Sequence, residues 1–423
     1  MPSPSYPSYL RPCNWPTTTP PLHGRNMLAG NHDCDALVIG AGFTGIAIAR
    51  KLSEINPLSR ICLLDAESVG EGSSGRNSGF VLEHAFGSLN PEKTSRIYRL
   101  FQQAHSDLMG FAHPSTPKTD DHIFKAAATR RGEKALIDLA SYFRASGQPH
   151  KPMTASELKE ITGSSYYLSG ISIPGNRLAN PVDLVLSAAR NLPKNIILYE
   201  NSPVLSLEKT SSGWKAQTKQ GSLKAPKVFL GNNAFVKNLG FGQSRSITIF
   251  TYAGITPVLD TEERIKTSSS GQWGLLPAHR LGTTFRTTED GRLLVRGMYG
   301  YEKESANKTE QTLSQSLRKR FPNLKSAQHL ESWWGGTTSL TANSAPLWGE
   351  LQAGLYCSSG CNGVGIVKGW LLGTALASQA YGQNSIDVPD LFGSPTWIPP
   401  EPFRKLGFLA ASTYEKRLAS DEK

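Results

Sequence analysis

The chain has 423 residues, and 45 Lys and Arg against 34 Asp and Glu give it a formal net charge of +11. With 38% hydrophobic and 19% charged residues it carries enough apolar material for a large core, which excludes a disordered or fibrous chain. The length predicts two or three domains in series, or two interleaved ones. The basic balance alone allows nucleic acid, acidic lipid or an acidic small molecule as partner.

The cysteines and the start of the chain indicate the compartment. Five scattered cysteines do not resemble a disulfide framework, and the pair Cys357 and Cys361 has no second Cys/His pair at zinc spacing, so we expect no metal site. The first residues are rich in proline and lack the apolar core of a secretory signal. No stretch approaches the ~18 apolar residues that a membrane span needs. We therefore expect a cytoplasmic protein with reduced thiols and no membrane span.

The chain begins with a pattern of strand, helix and strand. Asp35 to Gly40 (DALVIG) is a short apolar run typical of a buried strand, and Arg60 to Asp65 (RICLLD) is another. Between them, Gly42 to Leu52 has apolar residues at helical spacing. Such a unit predicts the start of a doubly wound parallel sheet.

Later segments alternate between helices and strands. Thr154 and Glu157 form a capping-box pattern that opens a helix, and Asp290-Gly291 predicts a hairpin between Thr283–Thr287 and Arg292–Arg296. The other predicted elements are a mostly helical region over 90–165, a helix over 182–192, short strands ending at Lys227 to Gly231, long strands over 247–300, a strand from Leu355 to Ser359 and a helix over 363–381.

A glycine motif follows the first strand. Gly40-Ala41-Gly42-Phe43-Thr44-Gly45 has the G-x-G-x-x-G pattern, and Asp65 stands 20 residues beyond its last glycine, at the end of the second strand. In dinucleotide-binding folds the first glycine allows the tight turn, the second lets backbone approach the pyrophosphate, and the third allows close packing of helix on strand. The helix N-terminus supplies donors, and Asp65 would accept a hydrogen bond from a ribose hydroxyl. The sequence therefore predicts a dinucleotide site.

The loop after Asp65 favours FAD over NAD. It runs from Ala66 to Phe80 and is small, polar and dense in glycine, which suits a ligand that continues past the adenosine. Backbone amides and the hydroxyls of Ser73 and Ser74 can hold a second phosphate and a ribityl chain.

At this point the chain resembles the FAD-dependent amine and amino-acid oxidases of the D-amino-acid oxidase type. Its run LLDAESVGEGSSGRNSG is similar to the branch that contains gamma-glutamylputrescine oxidase, with Asp65 where that branch usually has Glu. Ser8-Tyr9 resembles the end of that family's N-terminal arm, which implies an ordered arm. Glu200 to Val204, Gly231 to Ala234, Trp334 to Gly336 with Ala345-Pro346, and Gly360 to Gly365 resemble further family segments.

The resemblance implies the cofactor and its contacts. Asn362 and Val364 stand where the branch often has Ser and His, and Thr338 stands at the best match for a cysteine that binds flavin covalently in sarcosine oxidase. We therefore expect non-covalent FAD. The implied cofactor contacts are Gly40, Gly42, Phe43, Thr44, Gly45, Asp65, Ala66, Ser73, Ser74, Arg76, Asn77, Ser78, Val204, Gly231, Gly360, Asn362, Gly363, Val364 and Gly365.

The implied fold is α/β, with a Rossmann-like, doubly wound FAD domain interleaved with an α+β substrate domain on a mostly antiparallel sheet. The predicted boundaries are an N-terminal arm over 1–32, an FAD domain over 33–95, 166–240 and 335–386, a substrate domain over 96–165 and 241–334, and a C-terminal tail over 387–423.

The resemblance also implies a reaction. Hydride leaves the carbon next to an amine nitrogen for flavin N5, the imine hydrolyses, and dioxygen or another acceptor reoxidises the flavin. We nominate His84 and Arg286 as catalytic candidates, without an obligatory base. The candidate substrate contacts are His84, His279, Arg280, Trp334 and Cys361, although a packing or surface role stays open for each.

Three alternatives stay open at this stage. The protein can be a flavin dehydrogenase that passes electrons to a carrier, a tRNA-modifying flavoprotein, or a protein that binds FAD only for structure. The cluster Arg318-Lys319-Arg320 is short and helical, so we expect a small-molecule partner rather than nucleic acid.

Overall fold

The computed structural model describes residues 8–22, 26–86, 90–112, 122–268 and 271–423, so residues 1–7 and 23–25 of the predicted arm lie outside it. Its strands are β1 (Gly30–Asp33), β2 (Ala36–Ile39), β3 (Ile61–Leu64), β4 (Phe80–Val81), β5 (His122–Ala127), β6 (Lys151–Thr154), β7 (Ser169–Ser172), β8 (Arg177–Leu178), β9 (Ile196–Tyr199), β10 (Ser206–Thr210), β11 (Gly213–Gln217), β12 (Gly221–Ala225), β13 (Lys227–Leu230), β14 (Ile247–Ile255), β15 (Trp273–Pro277), β16 (Thr284–Thr287), β17 (Leu293–Tyr301), β18 (Ser332–Leu340), β19 (Leu347–Gln352) and β20 (Leu355–Ser359). Its α-helices are α1 (Phe43–Ile55), α2 (Pro91–Met109), α3 (Arg130–Ala145), α4 (Ala155–Thr162), α5 (Pro181–Arg190), α6 (Thr261–Ser268), α7 (Thr309–Arg320), α8 (Gly365–Ala380), α9 (Val388–Phe392) and α10 (Phe403–Ala419).

A six-stranded sheet forms the first half of the fold. Its strand order is β19-β20-β13-β2-β3-β9, and all neighbours are parallel except β19 and β20. The chain passes from β2 to β3 and β9 on one side, and then to β13 and β20 on the other. Open α/β sheets bind ligands at such a switch point, beyond the carboxyl ends of the strands. The predicted doubly wound domain is confirmed.

Helix α1 packs against α8 beside this sheet, and both helices approach closely because glycines face the contact. A Cβ added to Gly373 would lie 2.5 Å from the carbonyl oxygen of Thr44. The apolar residues of α1 are buried in one core with those of α8 and the parallel strands. This packing holds the start of α1 at the edge of the sheet.

An eight-stranded sheet forms the second half, in the order β18-β14-β17-β16-β15-β5-β7-β6. All its pairings are antiparallel except that of β15 with β5, so the predicted α+β domain on a mostly antiparallel sheet is confirmed. The hairpin at Asp290-Gly291 is present, with Thr287 opposite Leu293. The capping box of Thr154 and Glu157 opens α4 as predicted.

Two predicted boundaries need correction. β7 lies within the range assigned to the FAD domain, but it pairs with β5 and β6 in the eight-stranded sheet. β18 crosses the boundary at residue 334 as one continuous strand beside β14. Backbone pairing thus carries both segments into the substrate half.

The predicted C-terminal tail is helical over most of its length. Residues 388–392 and 403–419 are α9 and α10, and the segment after α10 is fixed to the substrate half. Arg320 donates to the carbonyl oxygens of Asp421, Glu422 and Lys423, and the Glu422 carboxylate accepts from the amide of Ala128. Within the described ranges no helix is long and apolar enough to cross a membrane.

The N-terminal arm is ordered over its described residues, as the resemblance implied. Trp15 donates to the carbonyl oxygen of Asn77, and Thr17 and Thr18 bind the carboxylate of Asp183 at the start of α5. The arm therefore lies across the loop that follows β3.

Candidate functional site

Two cavities meet where the two halves of the fold face each other. A cradle of about 110 Å³ lies at the switch point of the parallel sheet, and a larger cavity of about 340 Å³, hereafter the main cavity, reaches the eight-stranded sheet. Both are lined by Gly42, Ser73, Ser74, Gly231 and Asn233. A long ligand that fills the cradle can therefore extend into the main cavity.

Each of the three motif glycines stands where a Cβ would be strained or too close to a neighbouring atom. Gly40 has φ +99°, which an L side chain rarely adopts. A Cβ on Gly45 would lie 1.7 Å from the Gly40 carbonyl oxygen, and one on Gly42 would lie 2.4 Å from the Oγ of Ser74. Because these three positions carry no side chain, the start of α1 stays open and next to the cradle.

Asp65 joins the motif to the end of β3. Its carboxylate accepts from the amide of Ala41 at 2.7 Å and from that of Glu67 at 3.1 Å, and it lines the cradle. Burial raises the pKa of Asp65 to about 6, against the two backbone hydrogen bonds that lower it. The carboxylate keeps lone pairs that can accept from a ribose hydroxyl.

The cradle also contains polar atoms that need a donor. Among the described residues, the buried Oδ1 atoms of Asn232 and Asn233 have no hydrogen-bond partner, and both residues line the cradle. Buried acceptors of this kind are expected to bind a ligand or water. Together with the glycine cradle and Asp65, they fit a dinucleotide such as FAD.

Arg76 fixes the loop after β3 rather than offering a free charge. Its guanidinium donates to the carbonyl oxygens of Glu71, Arg11 and Gly335, and lies 3.7 Å from the ring of Tyr9. Asn77 closes the same loop by donating to the Ser74 carbonyl at 2.7 Å.

The turn before α8 is held by its own amide side chain. Asn362 has φ +54°, and its Nδ2 donates to the carbonyl oxygen of Gly360 at 2.7 Å while its Oδ1 accepts from the amide of Thr341 at 2.9 Å. Thr338 accepts from the amide of Gly363 at 3.2 Å. The N-terminus of α8 thereby borders the main cavity, where its dipole favours negative charge.

The structure brings most of the proposed cofactor contacts together. Gly42, Ala66, Asp65, Ser73, Ser74, Val204 and Gly231 line the cradle, and Phe43, Thr44, Arg76, Asn77, Ser78, Gly363, Val364 and Gly365 line the main cavity. Gly40 also lines the cradle, whereas Gly45, Gly360 and Asn362 lie behind the walls and shape them. We propose that the residues lining the two cavities contact FAD.

The main cavity is strongly cationic. Arg76, Lys125, Arg280, Arg296 and Lys368 line it, and none of its described lining residues is Asp or Glu. Burial lowers the pKa of Lys125 and of Lys368 to about 8. Such a cavity favours an anionic occupant.

His84 lines this cavity with its ring, but both ring nitrogens are occupied. Its Nε2 lies 2.8 Å from the carbonyl oxygen of Pro149, which can only accept, and its Nδ1 lies 2.9 Å from the Nδ2 of Asn176, which can only donate. These partners define the neutral Nε2–H tautomer, and burial lowers the pKa of His84. A catalytic role for His84 is thus disfavoured.

Arg286 and Trp334 do not line the main cavity. Arg286 borders a separate cavity and donates to the carbonyl oxygens of Ser78, Gly79 and Ala179, so it fixes backbone. Trp334 is fully buried beside Trp15 of the arm. The structure therefore does not bring Arg286 or Trp334 to the lining of the main cavity.

His279, Arg280 and Cys361 have other partners. His279 and Arg280 both pair with Glu415 of α10, and the Arg280 side chain is 71% exposed at the rim of the main cavity. Cys361 lines the cavity with its Sγ 3.2 Å from the Thr338 hydroxyl and 3.3 Å from Asn233 Nδ2. Only Cys361 of the three faces the interior.

Sequence patterns missed Lys125, Arg296 and Lys368. Lys125 is the single Lys or Arg of β5, Arg296 is the single charged residue of β17, and Lys368 is that of α8. A lone cation within an apolar element was the signal that could have found them, because such residues are rarely buried without a role.

Comparisons with known proteins agree with this geometry. The sequence model of the FAD dependent oxidoreductase family matches residues 35–379. Probable oxidoreductase OrdL of Rhizobium meliloti is 26% identical over 414 residues, covering 92% of this chain and 94% of that protein. Gamma-glutamylputrescine oxidoreductase of Escherichia coli is 23% identical over 366 residues, covering 82% of this chain and 84% of that protein. Glycine oxidase from Geobacillus kaustophilus shares the fold, with a TM-score of 0.73 at 18% identity over 86% of this chain and 99% of that one.

Proposed function

The chain belongs to the FAD dependent oxidoreductase family, and we propose that it oxidises a C–N bond of an amine or amino acid, with dioxygen as the electron acceptor. One observation carries the proposal: the dinucleotide cradle and the cationic main cavity share a wall, so the cofactor site opens directly onto a second ligand site. The curated relative that acts on gamma-glutamylputrescine supports an amine as substrate.

The protein's own residues prepare the reaction in three ways. The hydrogen bonds that Arg76 and Asn77 donate to backbone carbonyls hold the loop after β3 against the cavity. The cationic lining lowers the pKa of a bound amine, because positive neighbours disfavour its protonated form. A neutral amine has the lone pair that assists departure of hydride from the adjacent carbon. Bound FAD supplies the two-electron acceptor for that hydride.

No described side chain in the cavity is required as a base. His84 is held neutral by Pro149 and Asn176, and the cavity lining has no described carboxylate. Proton release is therefore left to the substrate amine and solvent, and the imine product hydrolyses in water to a carbonyl and an amine.

We propose that the flavin is held without a covalent bond. Thr338 stands at the position matched to the flavin-binding cysteine, and the nearby Cys361 thiol is engaged with Thr338 and Asn233. Denaturing the purified protein should release all the yellow colour into the supernatant. Colour that stays with the precipitate would contradict this.

The function itself is tested by purifying the protein with FAD and offering primary amines, N-methyl amines, gamma-glutamyl amines, and D- and L-amino acids. Substrate-dependent bleaching with peroxide release under air supports an oxidase. Bleaching without peroxide identifies the dehydrogenase alternative, and protein that never takes up FAD contradicts the proposal.

A further inference from the structure

Two cations on the sheet wall of the main cavity have no hydrogen-bond or ion-pair partner among the described residues. Within the described ranges, neither Lys125 nor Arg296 makes a side-chain hydrogen bond or ion pair, although both line the cavity. Both cations lie near aromatic rings: Lys125 lies 5.3 Å from the ring centre of Phe86, and Arg296 lies 5.7 Å from that of Tyr299. Buried or half-buried charges without a counterion are unfavourable.

Both cations belong to one row across the eight-stranded sheet. Lys125 is opposite Leu276, and Thr284 is opposite Arg296. The register of β15 with β16, in which Leu275 faces Phe285, continues the row from Leu276 to Thr284. All four residues of the row line the main cavity, so they share one face of the sheet.

The neighbouring row points away from the cavity and is apolar. Phe124, Leu275, Phe285 and Val295 are buried in the core on the opposite face. Strand alternation thus separates a packing row from a row with a cation at each end. Three strand spacings of ~4.8 Å place the backbones of Lys125 and Arg296 about 14 Å apart.

The other cavity cations have different surroundings. Arg280 pairs with Glu415, and Arg76 is bound by backbone carbonyls. Lys368 likewise makes no hydrogen bond or ion pair with the described residues, but it stands on α8, outside the sheet, one residue before Gly369. Lys125 and Arg296 are therefore the pair that belongs to the sheet wall.

The carboxylate that acts on Lys125 is already engaged. Glu422 attracts Lys125 electrostatically but is not within ion-pair distance, and its Oε1 accepts from the amide of Ala128 and the hydroxyl of Thr129. Charge neutralisation of this row is thus left to a ligand.

We propose that Lys125 and Arg296 form a two-point anion subsite, and that the substrate is an amine carrying two carboxylates, one for each cation. This inference rests on the proposed amine oxidation and narrows its substrate class. The intervening Leu276 and Thr284 contact the carbon chain between the two acidic groups.

The test uses two unreactive acids of equal length, glutarate with two carboxylates and pentanoate with one. Binding to the FAD-loaded protein is followed by the flavin absorption spectrum and, separately, by equilibrium dialysis. Glutarate should bind at least about tenfold more tightly than pentanoate, because each charge-assisted hydrogen bond contributes at least that factor. K125Q and R296Q should each reduce the preference about tenfold, whereas K224Q, at an exposed lysine of β12, should leave it unchanged.

Conservative variants keep the result interpretable. K125R and R296K retain charge and should keep most of the preference, so a loss caused only by misfolding would appear in these variants as well. Equal affinity of the wild-type protein for both acids, or an unchanged preference in K125Q and R296Q, overturns the inference. Because the titration needs no turnover, a protein that oxidises amines but ignores glutarate refutes the subsite while leaving the proposed function intact.

Discussion

The cradle and the sheet wall of the main cavity are built by opposite means. The cradle depends on backbone: Gly40, Gly42 and Gly45 are required because a Cβ there is strained or meets atoms at 1.7–3.0 Å. The wall depends on side chains of Lys125, Thr284 and Arg296, which stand on different strands. A backbone requirement leaves little choice of residue type at a position, whereas a wall made of side chains tolerates substitution. The cofactor end of the site is therefore fixed by the fold, whereas the side chains at the substrate end can vary.

The largest effect on the cradle is expected from a substitution at Gly45. In G45A the new Cβ would lie 1.7 Å from the Gly40 carbonyl oxygen, so we expect the protein to purify without FAD and to lose about 1–3 kcal/mol of unfolding free energy. Flavin content and chemical denaturation measure both effects. G407A in α10 is the control, because a Cβ on Gly407 meets nothing within 4 Å and Gly407 lines neither the cradle nor the main cavity. Normal flavin content in G45A would contradict the role given to the cradle.

Asp65 tests the cradle through charge. D65N should weaken FAD binding by about 10- to 100-fold, since a hydrogen bond to a charged group contributes ~1.5–3 kcal/mol.

Asp65 should also make the stability of the FAD-free protein depend on pH. Its folded pKa of about 6 lies above the ordinary value of 3.8, so its contribution to stability is present below pH 3.8 and is lost as pH rises through about 6. Denaturation of the FAD-free protein against pH should show this loss, and D65N should remove it.

The proposed role of Lys125 in the sheet wall predicts that glutarate affinity depends on pH. Its pKa of about 8 means that the free protein loses this charge between pH 7 and 9, so glutarate affinity should fall about tenfold over that range. The groups that face it are the Phe86 ring and the Glu422 carboxylate, and Lys368 titrates in the same cavity. K125Q should flatten most of the dependence while FAD affinity stays unchanged. A full pH dependence in K125Q would assign the effect to another group.

The smallest expected effect on cofactor binding and on the reaction is at His84. Because both ring nitrogens bind Pro149 and Asn176, H84Q should lower the unfolding free energy by about 1–3 kcal/mol and leave the shape of the pH profile of kcat unchanged. Thermal denaturation and steady-state rates measure the two quantities. Disappearance of an ionisation from the kcat profile would instead give His84 a part in the chemistry.

The sequence predicts the cradle well because its signals are local. The motif glycines, Asp65 and the strand–helix–strand unit lie within residues 35–65, and each residue type follows from a backbone or packing requirement. The capping box and the Asp290-Gly291 hairpin are local for the same reason, and all were found.

The wall could not be predicted in this way. Lys125 and Arg296 become neighbours on one face only through the register of four strands, and register is a tertiary property. Arg286 shows the converse error: it precedes the hairpin on the same sheet, yet its guanidinium turns to backbone carbonyls. The missed helix α10 has exposed apolar residues such as Phe403 and Leu406, so it lacks a readable amphipathic pattern.

Amine oxidation is tested most directly by anaerobic mixing of the FAD-loaded protein with a panel of amines that carry no, one or two carboxylates. We expect the flavin to be bleached by an amine, fastest with two carboxylates, and the matching carbonyl product to form in equal amount. Flavin that stays oxidised with every amine, in a protein that binds FAD stoichiometrically, would contradict amine oxidation as the function.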